Sequence, residues 1–569
     1  MHGTHTGPGQ LLKSGEGGPG EEEAAGSGPP AALRRVQRAA WPAGVAAAAV
    51  VLFLCALREA RTLTVDSDGG SNALQAWAML HGNLLLHGWH LSDVSWYTTE
   101  LPEYILVELV RGLRPDVVHV AAALTYTLLV LLAAFVARGR ATGRAGLVRA
   151  AIAVGIMLAP SLAAAQNLLF VVDHTGSAVP VLAVLVLLER AGRRWWVPVV
   201  TGLALAWAVV GDPLVLVIGA GPVLVVSLAR ATNRLVRLRE PLRDAWYELS
   251  LAAAAVAAAG TAATAVHLIR ASGGYVLARG VHQFVPTVLI PANLAQTGRG
   301  LLSLFSGNFF GQRFGPVLAV TAIHLIGAVL VAVALWLAVR RLFWSADLVP
   351  AILAVAIIAN VLAYLVIFRA SVWTSGEVAP VFSLGAALAG RVLAGPLLYN
   401  RLEPLLTLWL AGCAFALGPP VLLAKPAPSI APLAAWLQAH HLHDGIAGYS
   451  FANRTTIDTG GRVRMRAVMD LQCSGLTPLA WEADTALLNS RSYNANFLLT
   501  TSGSITEGEA ISDFGRPARV YHVQEYTILV WPKNLLPQLN RKGLPALARM
   551  TLGGGWSDAS NPRCRITGT

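Results

Sequence analysis

The sequence has few charged residues for its length. Asp, Glu, Lys and Arg make up 13% of its 569 residues, about half the share of roughly 25% found in soluble domains. Hydrophobic residues make up 55%, and the mean hydropathy is +0.56. This composition excludes a soluble enzyme, a disordered protein and a collagen-like or coiled-coil fibre. We expect no nucleic-acid partner despite the net charge of +12, because basic residues also set the topology of membrane proteins.

Cysteine is also scarce, with only four residues in the chain. Cys55 and Cys413 lie in apolar runs, where a small buried side chain is expected. Cys473 and Cys564 lie in the polar C-terminal region, where a disulfide between them is plausible if that region is outside the cytoplasm. The sequence contains no Walker A loop, Ser nucleophile elbow or Cys/His zinc spacing.

Eleven apolar runs follow a tail over residues 1–33 that is rich in Gly, Pro, Glu and Ser and is predicted to be disordered. This tail is too long and too acidic for a cleaved signal peptide, so the first run is expected to be a retained helix. The pattern predicts a polytopic α-helical membrane protein with about 11 transmembrane helices, although several runs are shorter than the roughly 20 residues that span a bilayer. The runs cover residues 41–60, 116–137, 147–165, 177–189, 195–210, 213–229, 246–268, 316–339, 348–368, 378–394 and 403–424.

Arginines cluster in every second loop between these runs. Because cytoplasmic loops are enriched in Arg and Lys, the pattern predicts a multi-pass protein of the cell membrane with a cytoplasmic N-terminus. An odd number of spans then places the C-terminal region outside. The arginines assigned to the cytoplasmic side are Arg34, Arg35, Arg38, Arg138, Arg140, Arg144, Arg149, Arg190, Arg193, Arg194, Arg230, Arg234, Arg237, Arg239, Arg243, Arg340, Arg341, Arg391 and Arg401.

The chain is predicted to have three parts. Residues 1–33 form a disordered cytoplasmic tail, and residues 34–424 form a transmembrane module with long exterior loops at 61–115 and 269–315. Residues 425–569 form a small extracytoplasmic α/β domain. In the first exterior loop, apolar residues over 71–91 recur at helical spacing, which is typical of a helix at the membrane interface.

Local patterns also predict the elements of the C-terminal region. A helix is expected at 430–442, where Ser429 and Pro432 mark its start. Four apolar and β-branched runs predict strands, and the last two predict a hairpin. These runs are Arg462–Val468, Asn496–Thr501, Ala518–Val523 and Tyr526–Trp531.

Two carboxylates follow the first membrane helix directly. Asp66 and Asp68 precede two glycines, which allow the backbone to turn so that both side chains face a divalent cation or a phosphate-bearing substrate. One carboxylate could instead act as a general base. A structural alternative is an acidic turn that caps a helix starting near Ser71.

Further polar groups lie in the other predicted exterior loops. Asp173 and His174 are residue types that bind metals or pair as a base with its orienting group, but they could also form a polar cap at the interface. Trp96, Tyr97, Glu100 and Glu103 combine aromatic and carboxylate groups that suit sugar recognition, with an aromatic belt as the alternative. Glu377, in the last short exterior loop, is another candidate pocket carboxylate.

Some arginines run against the topology pattern because they lie in predicted exterior loops. A guanidinium binds phosphate well, so an anionic lipid headgroup would explain them. Their alternative role is to anchor helix ends at the interface. These residues are Arg270, Arg279, Arg299, Arg313 and Arg369.

This arrangement resembles the type C (GT-C) superfamily of integral-membrane glycosyltransferases. A first membrane helix leads into Asp66-Ser67-Asp68 and an amphipathic loop, a second acidic loop separates the third and fourth helices, and an extracytoplasmic domain follows. The runs that carry the resemblance are Trp77-Ala78-Met79-Leu80-His81-Gly82, Trp436-Leu437 through His443, Gly448-Tyr449 and Gly461-Arg462-Val463.

The resemblance implies inverting transfer of a sugar from a polyprenyl-phosphate donor to an extracytoplasmic glycan, lipid or protein. Asp66 and Asp68 would supply the base or a metal ligand. Asp68, Asp173 and His174 would hold a divalent metal such as Mg²⁺ or Mn²⁺, although this second loop has one carboxylate where the superfamily often has two. The donor phosphate would bind among four basic residues. These candidates are Arg270, Arg279, Arg313 and Arg369.

Two other classes of function remain open at this level. Eleven helices and the broken segment Gly211-Asp212-Pro213 are compatible with a transporter or flippase for a lipid-linked or anionic substrate. Transporters usually place their functional polar groups at mid-membrane, whereas the acidic groups here are predicted at helix exits. The third class is a non-catalytic assembly or sensor protein that binds wall polymer.

Overall fold

The computed structural model describes the backbone of residues 31–170, 173–278, 284–342, 347–367, 370, 375–471, 475–501 and 505–541, and of three strands within 547–567. Side chains are described from Pro42 to Arg541 within these ranges, except at 419–420. The chain divides into two compact units, residues 1–50 and 51–569. In its described part, the first unit consists of the beginning of a helix that starts at Ala31.

Every one of the eleven apolar runs is helical, as predicted. The run 147–165 is a pair of helices bent by 102°, and a π-helical turn at Leu216–Ala220 opens the run 213–229. In chain order, the elements up to the last run are α1 (Ala31–Ala60), α2 (Ser67–Leu80), β1 (Trp89–Leu91), α3 (Leu101–Arg111), α4 (Asp116–Arg138), α5 (Gly143–Met157), α6 (Leu162–Leu168), α7 (Ala178–Ala191), α8 (Trp196–Gly211), α9 (Gly221–Thr232), α10 (Trp246–Ala271), β2 (Val276–Leu277), α11 (Ile290–Leu304), α12 (Pro316–Arg340), α13 (Leu348–Ile367), α14 (Pro380–Tyr399) and α15 (Glu403–Leu422).

The number of spanning helices is lower than the predicted eleven when length is considered. In the described part of the chain, seven helices are long and apolar enough to cross a membrane, or eight if the bent pair α5–α6 is one span. Helices α7 and α8 have 14 and 16 residues, and the apolar part of α15 is also short. An apolar run therefore identified each helix, but not whether the helix is long enough to span.

The C-terminal region has the predicted α/β character. Its helix at Ala431–Ala439 and the hairpin of Arg519–Val523 with Tyr526–Val530 confirm the local predictions. The elements are α16 (Ala431–Ala439), β3 (Asp444–Gly448), α17 (Tyr449–Asp458), β4 (Arg464–Leu471), β5 (Gly475–Pro478), β6 (Ala483–Asp484), β7 (Phe497–Thr500), α18 (Glu507–Phe514), β8 (Arg519–Val523), β9 (Tyr526–Val530), α19 (Leu536–Asn540), β10 (Leu547–Met550), β11 (Trp556–Asp558) and β12 (Asn561–Thr567).

A mixed sheet organises this region, with strand order β10-β11-β12-β4-β3-β7-β9-β8 and β5 paired to β4. Strand β3 is parallel to both β4 and β7. The apolar residues of the neighbouring strand β7 alternate between the two faces of the sheet, as a strand with helices on both sides requires. Thus Phe497 and Leu499 pack on the face covered by α16 and α17, and Leu498 packs on the face covered by α18 and α19.

A second, three-stranded sheet joins distant parts of the chain. Strand β1, in the loop 61–115, pairs parallel with β2 and antiparallel with β6. Strand β2 belongs to the loop 269–315, and β6 belongs to the C-terminal region. This sheet therefore fixes both long loops and the C-terminal domain against one another.

Two of the four cysteines have side chains that the structure describes. Cys55 and Cys413 are free thiols in α1 and α15, and Cys413 is buried, as expected for an apolar run. Cys473 and the side chain of Cys564 lie outside the described residues, so the predicted disulfide stays a prediction.

Candidate active site

The two aspartates of the first long loop lie at the N-terminus of α2. Asp66 is the N-cap, with extended backbone, and its Oδ1 accepts a hydrogen bond of 2.9 Å from the amide of Gly69. The helix begins at Ser67, four residues earlier than the start predicted near Ser71. The capping alternative is therefore correct for Asp66, and a carboxylate has acceptor capacity beyond this one bond.

The C-terminal domain covers this helix start. The hydroxyl of Tyr449, the first residue of α17, donates to Oδ1 of Asp68, and Ser67 Oγ donates to the Tyr449 carbonyl. The Asn453 amide donates to the Ser67 carbonyl at 3.2 Å. Gly70 allows this approach, because a Cβ there would lie only 3.2 Å from two Asn453 atoms.

Glu482 forms a second link between the two regions. Its Oε1 accepts from the Ser92 amide at 2.8 Å, and its Oε2 accepts from Ser71 Oγ and Gln75 Nε2, both at 2.9 Å. Burial raises the pKa of Glu482 to about 7. The side chain is 3% exposed, so it holds α2 and β1 against the C-terminal domain in a water-poor setting.

Asp173 joins Asp66 and Asp68 in the same cluster. The Asn72 amide, on α2, donates to Asp173 Oδ1 at 3.1 Å. Burial raises the pKa of Asp173 well above its usual range, and repulsion from Asp68 and Asp66 raises it further. All three carboxyls are half-buried, which leaves part of each accessible.

The pKa values of Asp66 and Asp68 are also raised. Burial, followed by repulsion from Asp68, raises the pKa of Asp66 well above the usual range of an aspartate. Burial also raises the pKa of Asp68, and the hydrogen bond from Tyr449 partly offsets this. Carboxyls that share a confined space cannot all ionise together, so the cluster retains protons at a pH where isolated aspartates have lost them.

His174 lies beside Asp173 and is held from both sides. Its Nδ1 is 2.9 Å from Asp212 Oδ2, and its Nε2 is 3.2 Å from Glu377 Oε1. Burial disfavours the charged ring, but Glu377 and Asp212 prevail and raise the pKa of His174 well above its usual range. Ser177 Oγ also donates to Asp212 at 2.6 Å, so this group is a buried charge network rather than a free imidazole.

Glu100 and Glu103 lie behind this network. Burial raises the pKa of Glu100 well above the usual range, and Asp212, Asp173 and Glu103 add to the shift. Burial raises the pKa of Glu103 to about 7, with Thr125 donating to its Oε2. Glu100 is fully buried, so it supports the cluster from within the protein.

The aromatic pair of the first loop has mainly structural contacts. Trp96 is 4% exposed, and its ring stands edge-on to His174 with centroids 4.8 Å apart. The Tyr97 hydroxyl donates to the Leu84 carbonyl at 2.7 Å. The predicted role of both residues in sugar binding stays a prediction.

Of the four arginines predicted to bind the donor phosphate, two are described. Arg270 and Arg313 are both exposed, at the end of α10 and just before α12. Neither forms an ion pair with a described residue. Arg279 and Arg369 lie outside the described residues. Arg299, on α11, places its guanidinium 5.6 Å from the centre of the Phe310 ring.

The geometry does not suit the predicted metal set of Asp68, Asp173 and His174. Both His174 nitrogens face carboxylates, Asp173 accepts from Asn72, and Asp68 accepts from Tyr449. Within the described ranges, no three His, Cys, Asp or Glu side chains are grouped as metal ligands. We therefore derive no chemical step through a metal.

Several residues of this cluster were not identified from the sequence as functional. Tyr449 lies in the run Gly448-Tyr449, and Asp212 lies in the broken segment Gly211-Asp212-Pro213; neither run predicts a role in this site. Asn72, Asn453 and Glu482 carry no local signal, because their importance depends on contacts between segments that are 101 to 390 positions apart in the sequence.

Comparison with known proteins gives one kind of match. No family model matches the sequence, and no curated protein matches it. Among solved structures, the chain is similar to the crystal structure of ArnT from Cupriavidus metallidurans bound to undecaprenyl phosphate, with a TM-score of 0.50 and 15% identity over 86% of this chain and 98% of that one. The similarity confirms the predicted fold, a polytopic helical membrane protein with a C-terminal α/β domain.

Proposed function

We propose that the chain is a membrane glycosyltransferase that moves a sugar from a polyprenyl-phosphate donor to an acceptor at the extracytoplasmic face. The GT-C-type fold supports the class, and the fold match to a protein that binds undecaprenyl phosphate supports a lipid-linked donor. The acceptor would be a cell-envelope glycan, a glycolipid or a protein. The single observation that carries the proposal is the convergence of Asp66, Asp68 and Asp173 in one half-buried cluster.

The reaction would be an inverting displacement at the anomeric carbon. The acceptor hydroxyl oxygen forms a bond to that carbon as the carbon–oxygen bond to the lipid phosphate breaks. A carboxylate of Asp66 or Asp68 takes the hydroxyl proton, and polyprenyl phosphate leaves with the bonding electrons. A base with a raised pKa suits this role, because proton transfer is efficient when the pKa of the base lies near the working pH.

Each aspartate has one oxygen that is held by a hydrogen bond from the protein. Asp66 Oδ1 accepts from the Gly69 amide, and Asp68 Oδ1 accepts from the Tyr449 hydroxyl. These bonds orient the second oxygen of each carboxyl, which is what positioning of a general base requires. We assign stabilisation of the leaving phosphate to one of Arg270, Arg279, Arg313 and Arg369.

A transporter is less consistent with the positions of the acidic groups. The cluster is built from α2, the segment around Asp173 and the C-terminal domain, and none of these belongs to a helix long enough to span a membrane. Transport sites are usually at mid-membrane. Groups on such elements suit chemistry at a membrane surface.

The test is transfer from undecaprenyl-phosphate sugars carrying a radiolabelled hexose or pentose, using membranes that contain the full chain. Asp66→Asn and Asp68→Asn keep the carbonyl oxygen that accepts each structural bond but remove the base, so we expect each to lower kcat by about 100-fold or more. Asp116→Asn, which alters a partly exposed ion pair with Arg111, is the matched control. Wild-type rates in both folded variants would show that the assignment is wrong.

A further inference from the structure

A cavity of about 220 Å³ lies between α2, β1 and the sheet of the C-terminal domain. Leu74, Trp77 and Ala78 line it from one face of α2, because residues three and four apart lie on the same side of a helix. Trp89 of β1 and Arg464 and Arg466 of β4 line the remaining walls. None of these side chains takes part in the proton transfer proposed above.

Two residues that line the cavity each have a buried hydrogen-bond donor with no acceptor among the described residues. Trp89 is 4% exposed and Arg466 is 3% exposed. No described residue accepts from Trp89 Nε1 or from one terminal nitrogen of Arg466, Nη2. Buried donors are nearly always paired in folded proteins. Two such donors on one cavity therefore point to a ligand that offers acceptor oxygens.

Arg466 is otherwise rigidly held. Its Nη1 is 2.8 Å from Asp444 Oδ1, and its Nε donates to the Leu487 carbonyl at 2.9 Å. Its guanidinium also lies 5.0 Å from the centre of the Tyr493 ring. The unpaired Nη2 is therefore fixed in direction, which is the property of a donor built to recognise one atom of a ligand.

The charges around the cavity favour a neutral ligand. Arg464 forms two bonds with Asp444, at 3.1 and 3.2 Å, and Asp444 also pairs with Arg466. Asp484 lines the cavity as well and interacts electrostatically with Arg466. Two guanidinium groups thus face two carboxyl groups. A site for a phosphate or another anion would instead carry uncompensated positive charge.

Two indole rings, those of Trp77 and Trp89, also line the cavity. Trp77 is half-buried and Trp89 is buried, and both contribute flat apolar surface beside polar groups. A sugar ring offers the same combination, since it has an apolar face of C–H groups and a rim of hydroxyl oxygens. Tryptophan and arginine are also the residues that most often contribute strongly to recognition.

We propose that this cavity binds one sugar ring of the acceptor, which makes the acceptor a hydroxyl-rich glycan. The sugar ring stacks on Trp77, and its hydroxyl oxygens accept from Trp89 Nε1 and Arg466 Nη2. Along α2, the cavity lies about 9–15 Å from Asp68 at 1.5 Å per residue, so an adjoining part of the same glycan reaches the acidic cluster. The description of the ligand as an acceptor rests on the proposed function, but the sugar binding itself does not.

Binding is measured with the full-length purified chain and a fixed panel of fluorescent gluco-, manno-, galacto- and arabino-oligosaccharides. We expect saturable binding of at least one probe. Trp77→Ala should weaken binding about tenfold, and Trp89→Phe, which keeps a smaller aromatic ring but removes the donor, should do the same. Trp77→Phe, which keeps an aromatic face, should restore much of the affinity. Trp195→Ala, at a residue 76% exposed on the start of α8, is the matched control.

Two comparisons separate this inference from the proposed function. Asp68→Asn should abolish transfer without weakening oligosaccharide binding. If the chain has no transferase activity but binds sugar in a way that depends on Trp77 and Trp89, the proposed function is wrong and the proposal of sugar binding in the cavity is supported. Absence of binding to every probe would overturn the proposal that the cavity binds a sugar, as would binding that Trp77→Ala and Trp89→Phe leave unchanged in folded variants. The proposed transferase activity would still be tested by its own assay.

Discussion

His174 lies 2.9 Å from the carboxylate of Asp212, which is fully buried. Although burial opposes ionisation of Asp212, His174 and the Ser177 hydroxyl keep the pKa of Asp212 below its ordinary value. The pair therefore carries opposite charges inside the protein, and Glu377 contacts the other nitrogen of the ring. This network fixes the segment that carries Asp173.

Replacing His174 should destabilise the protein strongly. His174→Gln leaves the Asp212 charge buried without its cation, and breaking such a pair costs about 3–5 kcal/mol of unfolding free energy. The raised pKa of His174 means that the wild-type pair stabilises fully below about pH 6.5 and loses this contribution as pH rises through the folded-state value. Thermal unfolding across pH should show this alkaline loss in the wild type and not in His174→Gln. His522→Gln, at an exposed position on β8, should behave as the wild type; an identical pH dependence in all three proteins would contradict the assignment.

Glu482 should control how firmly the C-terminal domain is attached. Glu482→Ala leaves the Ser92 amide without its acceptor and removes one of two acceptors from both Ser71 and Gln75, so we expect the free energy of unfolding to fall by about 2–5 kcal/mol. The folded-state pKa is about 7, against 4.5 for an ordinary glutamate, so the folded protein holds a proton that the unfolded chain releases, and stability falls as pH rises from 4.5 to about 7. Calorimetry should show that Glu482→Gln removes this slope, while Glu507→Gln, on the exposed start of α18, retains it.

Tyr449 should tune the pH dependence of catalysis. Its hydroxyl lowers the pKa of Asp68 by donating to the carboxylate, so Tyr449→Phe raises that pKa further. Because the proposed base must be ionised, the acidic limb of the kcat/KM profile should move to higher pH in this variant. Transfer rates measured between roughly pH 4 and 9 test this, with Tyr399→Phe, 87% exposed at the end of α14, as the control. If the acidic limb of the profile does not move in Tyr449→Phe, ionisation of Asp68 does not control kcat/KM.

Chelation should leave transfer intact. His174, one of the predicted metal ligands, has both ring nitrogens facing carboxylates, and the mechanism proposed here uses no metal. Membranes washed with EDTA should therefore retain most of their activity. Loss of activity on chelation that Mg²⁺ or Mn²⁺ restores would instead support the metal set predicted from the sequence.

Much of the membrane part follows from local sequence. An apolar run identifies its helix without reference to the rest of the chain, so all eleven runs are found as helices. Length is harder to infer, since α8 ends at the buried Asp212 and α5 bends sharply into α6. The hairpin of β8 and β9 was equally predictable, because its strands are adjacent in the sequence.

The candidate site was only half predictable. Asp66, Asp68 and Asp173 were identified because each follows an apolar run, where a carboxylate is conspicuous. Nothing beside Glu482 or Asn453 in the sequence marks them, since their roles arise from packing against α2. The contacts of His174 with Asp212 and Glu377 were not predictable either, because the neighbouring Asp173 does not indicate which other carboxylates lie beside the ring.

The hydrogen bond between Ser92 and Glu482 joins residues that are 390 positions apart. At typical rates of synthesis, the two are made about 20–80 s apart. The start of α2 is therefore in place long before the groups that cover it exist. The cluster of Asp66, Asp68 and Asp173 gains its contacts with Tyr449 and Asn453 only after the final domain has been made. If the proposed function is correct, a nascent or truncated chain that lacks this domain would have an incomplete active site.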